Sequence, residues 1–299
     1  ISGDALKLRK TVELDVTGAS TVVAELAGEK VADLLLINDR DLSYAKLRFD
    51  DRSIATLKTH LGKFDDALAR ALCWASIWDM HRDAEISSAD FIEIALNGLA
   101  GETDDAIVNI VLAQLGTSVE AYAKDSNRDA YREKLADGLW ALTNSSAPGS
   151  DLQLLISRAF AINAQTADQT AKIRELLNGS APGLKVDADL RWYFLIALTE
   201  RGATTKAELD AELANDNTTT GNLAFETCLA AMPNNEAKAY AFNKVLNEDI
   251  VTSVRTALVA GFQRPIQRNL LEPFVNLYFD NLIKAWESKS YEGAAKYVT

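Results

Sequence analysis

Cysteine and histidine are scarce in this sequence. Only two cysteines occur among 299 residues, Cys73 and Cys228, and both lie inside apolar runs. We therefore expect two buried free thiols rather than a disulfide, which fits a reducing, cytoplasmic compartment. There are also only two histidines, so metal centres and catalytic sites that need several imidazoles are disfavoured.

Basic residues are also fewer than acidic ones. Lys and Arg number 31 against 43 Asp and Glu, which gives a net charge of −12. Nucleic acid is an unfavourable partner for such a chain because phosphate binding needs a basic surface. Anionic membranes are disfavoured for the same reason. Short peptides stay compatible, since they carry their own ammonium group.

Long apolar runs are missing as well. No run approaches the ~18 residues that a membrane-spanning helix needs, and no signal peptide opens the chain. The first residue is Ile1 rather than Met, and the opening ISGDALKLRK leads us to expect a piece of a longer polypeptide.

Residues 1–50 have the pattern of β-strands. Four segments alternate or are rich in β-branched residues, and turn formers such as Gly18, Gly28 and the NDRD run separate them. They are residues 10–16, 20–26, 32–38 and 42–49. Because four strands cannot bury both of their faces alone, we expect a small remnant at the end of a β-sandwich whose other strands lie upstream.

Residues 51–299 have the period of helices, so the chain is predicted to be mainly α. Strongly apolar helices alternate with amphipathic ones. The apolar helices centre near Trp74, Ile110, Ile156, Phe194, Phe225 and Ala257. The later intervals are roughly 30–40 residues, which is typical of a HEAT- or armadillo-like α-solenoid of helix pairs. A compact orthogonal bundle is the alternative.

Motifs for catalysis and metal binding are nearly absent. The sequence contains no H-E-x-x-H, G-x-S-x-G or P-loop. His81 and Glu85 share a helical spacing that suits a metal pair, but the sequence favours an ordinary pair at a helix end, since no second histidine lies near to complete a zinc site. The NDRDLS run lacks the glycine and the final Glu of a calcium loop, which favours a solvated turn. No catalytic, cofactor-binding or metal residue is therefore predicted.

Two aromatic and basic groups are candidates for contact with a peptide. Arg191 stands beside Trp192 and Tyr193 in RWYFLIAL, and Arg264 and Arg268 are one turn apart in FQRPIQRN. Arginines of this kind bind a peptide carboxylate. The favoured interpretation is a set of core aromatics with arginine stems packed along them.

Two stretches carry a resemblance to a known family. The runs LLLINDRDLSYAKLRFDDRS (34–53) and ALCWASIWDMHRDAE (71–85) resemble the C-terminal part of actinobacterial aminopeptidase N, a zinc aminopeptidase of the gluzincin class. Asn38, Tyr44, Lys46 and Arg48 match an Asn-containing turn followed by a strand with a Tyr and basic residues. In that family the strand ends a β-sandwich domain and leads into a large helical C-terminal domain.

The resemblance implies that the catalytic residues lie in a different domain of the enzyme. The zinc ligands of H-E-x-x-H and the G-x-M-E-N loop belong to a catalytic domain that would lie upstream, and neither motif occurs here. The chain is then the non-catalytic C-terminal part, inactive alone and without a cofactor of its own. It covers the active site, gates access of short peptides and packs on the upstream catalytic domain of the same polypeptide. A free-standing helical-repeat scaffold for protein interaction is the alternative, and an independent enzyme ranks third.

Overall fold

The computed structural model describes residues 1–3, 5–63 and 66–298. Over these residues it contains fifteen α-helices and no strand of a sheet. The chain is therefore mainly α, as predicted. It divides into two compact units, Ile1–Gly138 and Leu139–Thr299. None of the described helices is both long and apolar enough to cross a bilayer.

The first unit is built from the early helices. They are α1 (Asp51–His60), α2 (Ala67–Arg82), α3 (Ser88–Leu99), α4 (Asp105–Thr117) and most of α5 (Asp125–Ser145), with a π-helical turn at Ser118–Tyr122 after α4. Side-chain oxygens of Asp50, Asp66, Ser87 and Asp104 accept hydrogen bonds from the backbone N–H groups at the starts of α1 to α4, so each helix begins at a capping residue. Helix α3 packs against α1, α2 and α4.

The second unit holds the remaining helices. They are α6 (Asp151–Asn163), α7 (Ala167–Leu177), α8 (Ala188–Thr199), α9 (Lys206–Asn215), α10 (Thr219–Ala231), α11 (Asn235–Asn247), α12 (Thr252–Phe262), α13 (Arg268–Leu271), α14 (Phe274–Ser288) and α15 (Tyr291–Val298). Helix α6 packs on α8, α8 on α10, and α10 on α12. Helices α7, α9 and α11 each pack on the even-numbered helix that follows them along the chain.

The predicted alternation of helices is confirmed. All six predicted apolar centres fall in even-numbered helices, from Trp74 in α2 to Ala257 in α12. Ile156 in α6 and Phe194 in α8 are completely buried, whereas Ile110 in α4 is largely exposed. Helices α8, α10 and α12 have apolar sequences because each packs against at least three other helices.

The β-strands predicted over residues 10–49 are not found. Among residues 10–49 the one helical element is a short 3-10 turn at Ala24–Leu26, and the one β-bridge in the described part of the chain, between Ser2 and Ala5, lies before this segment. An extended segment becomes a strand only when a neighbour supplies the hydrogen bonds of a ladder. Apolar side chains here stay exposed instead, with Val22 89% and Leu42 80% accessible. The predicted β-sandwich remnant is thus not confirmed.

The NDRD run forms the predicted turn. Asn38 and Asp41 take left-handed backbone conformations, with φ of 61° and 53°. The Asn38 side chain holds the turn closed, because its Nδ2 donates to the carbonyl of Ser43 at 2.8 Å and its Oδ1 accepts from the Ser43 amide at 2.9 Å. Asn tolerates such a conformation better than most residues.

Charged residues tie the segment after this turn to the end of α2. Lys46 pairs with Asp83 at 2.6 Å, and Arg48 bridges Asp83 and Glu85. Glu85 is therefore the partner of Arg48 and not of His81, which corrects the helix-end pair considered from the sequence. These contacts fix the segment directly before α1 to the residues that follow α2.

Cys73 and Cys228 are both buried free thiols, as predicted. Burial raises the pKa of each thiol to about 12. Because the thiolate is the reactive form, we expect neither cysteine to react with Ellman's reagent in the folded chain and both to react in urea. Rapid modification of either thiol under native conditions would contradict the burial described.

His81 is held as a neutral imidazole inside the first unit. Its Nδ1 lies 2.8 Å from the carbonyl of Ile86 and its Nε2 lies 2.8 Å from Oγ of Ser118. The ring stacks on Phe91, with centroids 4.8 Å apart. Since Nδ1 must donate to the carbonyl, Nε2 accepts from the serine hydroxyl in the neutral form. Burial is the main cause that lowers the pKa of His81.

The lowered pKa of His81 predicts a specific acid sensitivity. An unfolded histidine titrates near a pKa of about 6.5, so the unfolded chain takes up this proton first as pH falls. The stabilisation by His81 is full above about 6.5 and is lost as pH falls through the lower folded pKa. We expect His81→Phe, which keeps the stacking on Phe91, to remove this pH-dependent contribution to the free energy of unfolding. Urea unfolding midpoints against pH test it, and parallel profiles for the two proteins would refute it.

Candidate functional site

Arg191 and Trp192, near the start of α8, are held by α9 and the residue that ends it. The Arg191 guanidinium forms two hydrogen bonds to the Glu212 carboxylate, at 2.7 and 2.6 Å. This bond is also the main cause that raises the pKa of Arg191. Trp192 is buried, and its Nε1 donates to Asp216 at 2.8 Å. The polar atoms of both residues therefore join α8 to α9.

Arg264 and Arg268 lie after α12. The Nε of Arg264 donates to the buried carboxylate of Glu200, the residue that ends α8. Gln267 reinforces the joint by donating to the carbonyls of Glu200 and Ala231, at 2.7 and 2.8 Å. Arg268 is exposed at the start of α13.

The four predicted residues do not form one cluster. Arg191 and Glu200 are nine residues apart on α8, which corresponds to roughly 13 Å along the helix axis. Arg264 thus contacts the opposite end of α8 from Arg191 and Trp192. The structure brings Arg264 to the same helix as the other pair but not to the same turn.

Glu200 is the centre of a buried charge cluster. Its carboxylate accepts from Nη1 of Arg201 at 2.5 Å and from Arg264. The rest of the Arg201 guanidinium donates to carbonyls at the end of α6, namely Ile162 at 2.8 Å and Ala164 at 2.6 and 2.9 Å. These carbonyls have no partner within their own helix, so Arg201 caps α6 while it neutralises Glu200.

Lys238 performs a similar task one helix pair later. Its side chain is fully buried, and its ammonium donates to the carbonyls of Ala230, Gly261 and Phe262 at 2.8, 3.1 and 3.1 Å. One cation on α11 therefore satisfies the last turns of both α10 and α12. Burial, with a smaller contribution from the nearby Arg264 charge, lowers the pKa of Lys238 to about 8.

The sequence analysis missed Arg158, which lies against Tyr193 of the run RWYFLIAL. Arg158 projects from α6, and its Cζ lies 5.4 Å from the centroid of the Tyr193 ring on α8. Within the described part of the chain Arg158 has no hydrogen bond and no ion pair, and its Nε is buried without an acceptor. Burial raises the pKa of the Tyr193 hydroxyl to about 12, against the opposing charges of Arg158 and Arg264. The only signal in the sequence was an arginine inside the apolar run LLISRAFAI.

An apolar groove of about 300 Å³ opens between the last helices of the second unit. Half of its twelve lining residues are aromatic, namely Phe242, Phe262, Phe274, Tyr278, Phe279 and Tyr297. None of its lining residues is charged, so it offers apolar contact and no acid–base chemistry.

No metal centre is present in the described residues, where no three or more His, Cys, Asp and Glu side chains are grouped to hold an ion. Both ring nitrogens of His81 are engaged by Ile86 and Ser118, and Nδ1 of His60 lies 2.7 Å from the hydroxyl of Thr59. These residues do not fit a zinc site.

Comparison with known proteins now decides the family. The family model described as "ERAP1-like C-terminal domain" matches residues 34–299, which is most of the chain. The chain belongs to the ERAP1-like C-terminal domain family. Aminopeptidase N of Streptomyces lividans is 40% identical over 286 residues. That match covers 95% of this chain and 33% of the relative.

The family match begins within the predicted β segment and runs through α15. It confirms the resemblance to the C-terminal region of an aminopeptidase N that the runs at 34–53 and 71–85 indicated. The chain spans about a third of the length of the Streptomyces relative, so the ERAP1-like C-terminal domain accounts for one part of a larger enzyme there.

Proposed function

We propose that this chain is the non-catalytic C-terminal part of a zinc-dependent aminopeptidase N, which packs on the catalytic part of the same polypeptide and gates access of short peptides to its active site. One observation carries the proposal, namely the match to a C-terminal domain family together with the 33% coverage of an aminopeptidase N. The zinc would belong to the catalytic part, where it would supply the Lewis-acid chemistry of peptide hydrolysis.

We propose further that residues 51–299 form a helix-pair solenoid of the HEAT or armadillo type. The succession of contacts from α6 to α8, α10 and α12 supports this, with α7, α9 and α11 each packed on the next even-numbered helix. Arg201 and Lys238 support it as well, because each caps the helix ends of a neighbouring pair. A wall of such pairs restricts access sterically, and excluding water strengthens electrostatic interactions at a reaction centre.

The exposed segment at residues 1–50 suits a joint with a neighbouring domain. Its apolar side chains, such as Val22, Leu42 and Tyr44, are exposed, and they recur at positions predicted to lie on strands. We propose that this segment completes a β-sandwich with strands of the catalytic part. Pairing would supply the ladder hydrogen bonds that the segment lacks among the described residues.

Short peptides are the proposed substrates of the whole enzyme. Arg191, Trp192, Arg264 and Arg268 are the proposed peptide-facing residues, and the polar groups of the first three already contact Glu212, Asp216 and Glu200. A cytoplasmic location is proposed on the evidence of the two free thiols, which are typical of reducing compartments.

Activity of the purified chain tests the first part of the proposal. We expect no release of p-nitroaniline from leucine p-nitroanilide, with or without added zinc, under conditions in which the Streptomyces lividans aminopeptidase N serves as positive control. Turnover by the chain that disappears on chelation would show a metal centre of its own and would overturn the proposal.

A further inference from the structure

Helix α14 carries a ridge of exposed apolar side chains along one face. The ridge consists of Val275, Phe279, Ile283 and Trp286, which are spaced by four, four and three residues and therefore share one side of the helix. Phe279 is 64% and Ile283 67% exposed. Tyr291, 77% exposed, extends the ridge because its ring lies edge-on to that of Trp286, with centroids 5.9 Å apart.

The ridge is large enough for a protein partner. Its four residues and Tyr291 leave about 600 Å² of apolar side chain in water, since one aromatic side chain alone presents about 150–250 Å². The largest apolar patch on a typical monomer measures about 300–600 Å². A stable interface buries about 800 Å² on each partner, so the ridge with its surroundings supplies most of the area that a stable dimer needs.

The apolar groove lies directly beside the ridge. Val275 and Phe279 belong to both, and the groove wall continues with Phe274 and Tyr278. A cavity of about 150 Å³ admits a benzene ring, so the groove volume of about 300 Å³ has room for an indole ring. A protrusion and a recess on the same face can fit a second copy of that face, which is the property that an isologous contact requires.

Opposite charges flank the ridge on the side away from the groove. Asp280 directly follows Phe279, and Lys284 directly follows Ile283, whereas residues of the groove wall directly precede ridge residues. Asp280 and Lys284 are both exposed, and neither forms an ion pair with any described residue. When two identical helices pack antiparallel about a twofold axis, equal flanks meet, so Asp280 of each copy can lie opposite Lys284 of the other.

We propose that α14 is a homodimer interface, in which two copies of the chain pack their ridges antiparallel about a twofold axis. The register that pairs Asp280 with Lys284 twice also sets Trp286 of each copy level with Tyr278 of the other, at the groove. Glu287, the remaining charge of this flank, lies level with the uncharged Leu277. The interface goes beyond the proposed function, because it needs neither the catalytic part nor a substrate.

The mass of the purified 299-residue chain tests the interface. Sedimentation equilibrium should give twice the mass of one chain at high concentration, with reversible dissociation on dilution. Ile283→Glu places a charge in the ridge and should weaken the dimer at least about tenfold. Ile110→Glu is the matched control, because Ile110 is also an exposed isoleucine on a helix, α4; its dissociation constant should equal that of the wild type.

A charge exchange tests the antiparallel register. Asp280→Lys and Lys284→Asp each set like charges opposite one another twice, so each variant alone should dimerise about tenfold more weakly. In an equimolar mixture of the two variants, a heterodimer regains both attractive pairs. We expect its affinity to lie within about threefold of the wild-type value. Unfolding of either variant would not produce such a rescue.

The outcomes are distinct. A dimer that is weakened by Ile283→Glu and restored by mixing the two charge variants supports the interface. A chain that stays monomeric at every concentration, a dimer that Ile283→Glu leaves unchanged, or a mixture without rescue would overturn it. A monomer whose binding to the catalytic part of an aminopeptidase N is lost in Ile283→Glu would assign the ridge to that part and overturn the dimer. None of these masses bears on peptidase activity, so the two proposals fail separately.

Discussion

Replacing Glu200 with glutamine is expected to lower the free energy of unfolding by about 3–5 kcal/mol, the range measured when one partner of a buried ion pair is removed. The Glu200 carboxylate faces Arg201, whose side chain is 6% exposed, and Arg264. Burial already lowers the pKa of Arg201, and the Glu200 charge opposes that effect. Without the carboxylate both guanidinium charges stay in a poorly solvated place with no counter-ion.

Urea unfolding of Glu200→Gln measures this loss, and Glu226→Gln is the matched control. Glu226 pairs with Lys244 at 2.7 Å in a more accessible position, and its loss should cost less than about 1 kcal/mol. Equal, small losses for the two variants would show that the Glu200 cluster does not hold α6, α8 and the segment after α12 together.

Replacing Lys238 with methionine is the second large change. Methionine fills a similar volume but cannot donate, so the carbonyls of Ala230, Gly261 and Phe262 lose their shared partner. Each unsatisfied carbonyl costs about 1–3 kcal/mol, partly offset because a charge is no longer buried. We expect a net loss of about 2–4 kcal/mol by urea unfolding at neutral pH. Lys206→Met, at an exposed ion pair with Asp210, should be nearly neutral, and a similarly small loss for Lys238→Met would exclude the capping role.

The pH dependence of this loss has a defined sign. Burial lowers the pKa of Lys238 to about 8 from an ordinary value of 10.5. The unfolded chain binds the extra proton between those values, so stability from this residue rises with pH through that window and is lost as pH falls through about 8. The stability gap between wild type and Lys238→Met should widen as pH rises above about 8. A constant gap across that window would contradict the lowered pKa.

The helices could be predicted from the sequence because their apolar patterns and capping residues lie within or next to each helix. Even-numbered helices such as α8 and α10 are apolar on most faces, and their sequences alone located them. Capping residues mark the starts of other helices, as Ser87 does for α3 and Thr205 does for α9. The sequence Thr205–Glu208 has the T-x-x-E spacing of a capping box, but only the threonine side chain accepts a capping hydrogen bond, and Glu208 pairs with Arg174 instead. Arg174 lies on α7, so the sequence of α9 alone does not predict that Glu208 forms this ion pair.

The strands predicted over residues 10–49 were not confirmed because a strand depends on its partner. Alternating side chains such as those of Val22 and Val23 predict which face would be buried, but the hydrogen bonds of a ladder come from another segment. The turn at Asn38 was predictable, since its own side chain makes the closing bonds.

The contacts of the candidate site residues likewise depend on partners that are distant in sequence. Arg191 and Trp192 looked available for a ligand because Glu212 and Asp216 stand more than twenty residues away in sequence. Arg158 drew no notice, although a lone charge in an apolar helix was its signal. Which arginine keeps an unsatisfied guanidinium is a property of tertiary packing, and it became visible only once α6 was placed against α8.

The most direct test of the central claim adds this chain to a catalytic partner. Purified chain is titrated into the part of the Streptomyces lividans aminopeptidase N that lies outside the match, and hydrolysis of leucine p-nitroanilide is compared with removal of an N-terminal leucine from a folded protein. If the chain packs on the catalytic part and gates access, cleavage of the folded protein should fall saturably relative to that of the small substrate. An unchanged ratio at every concentration, with both proteins folded, would contradict the account.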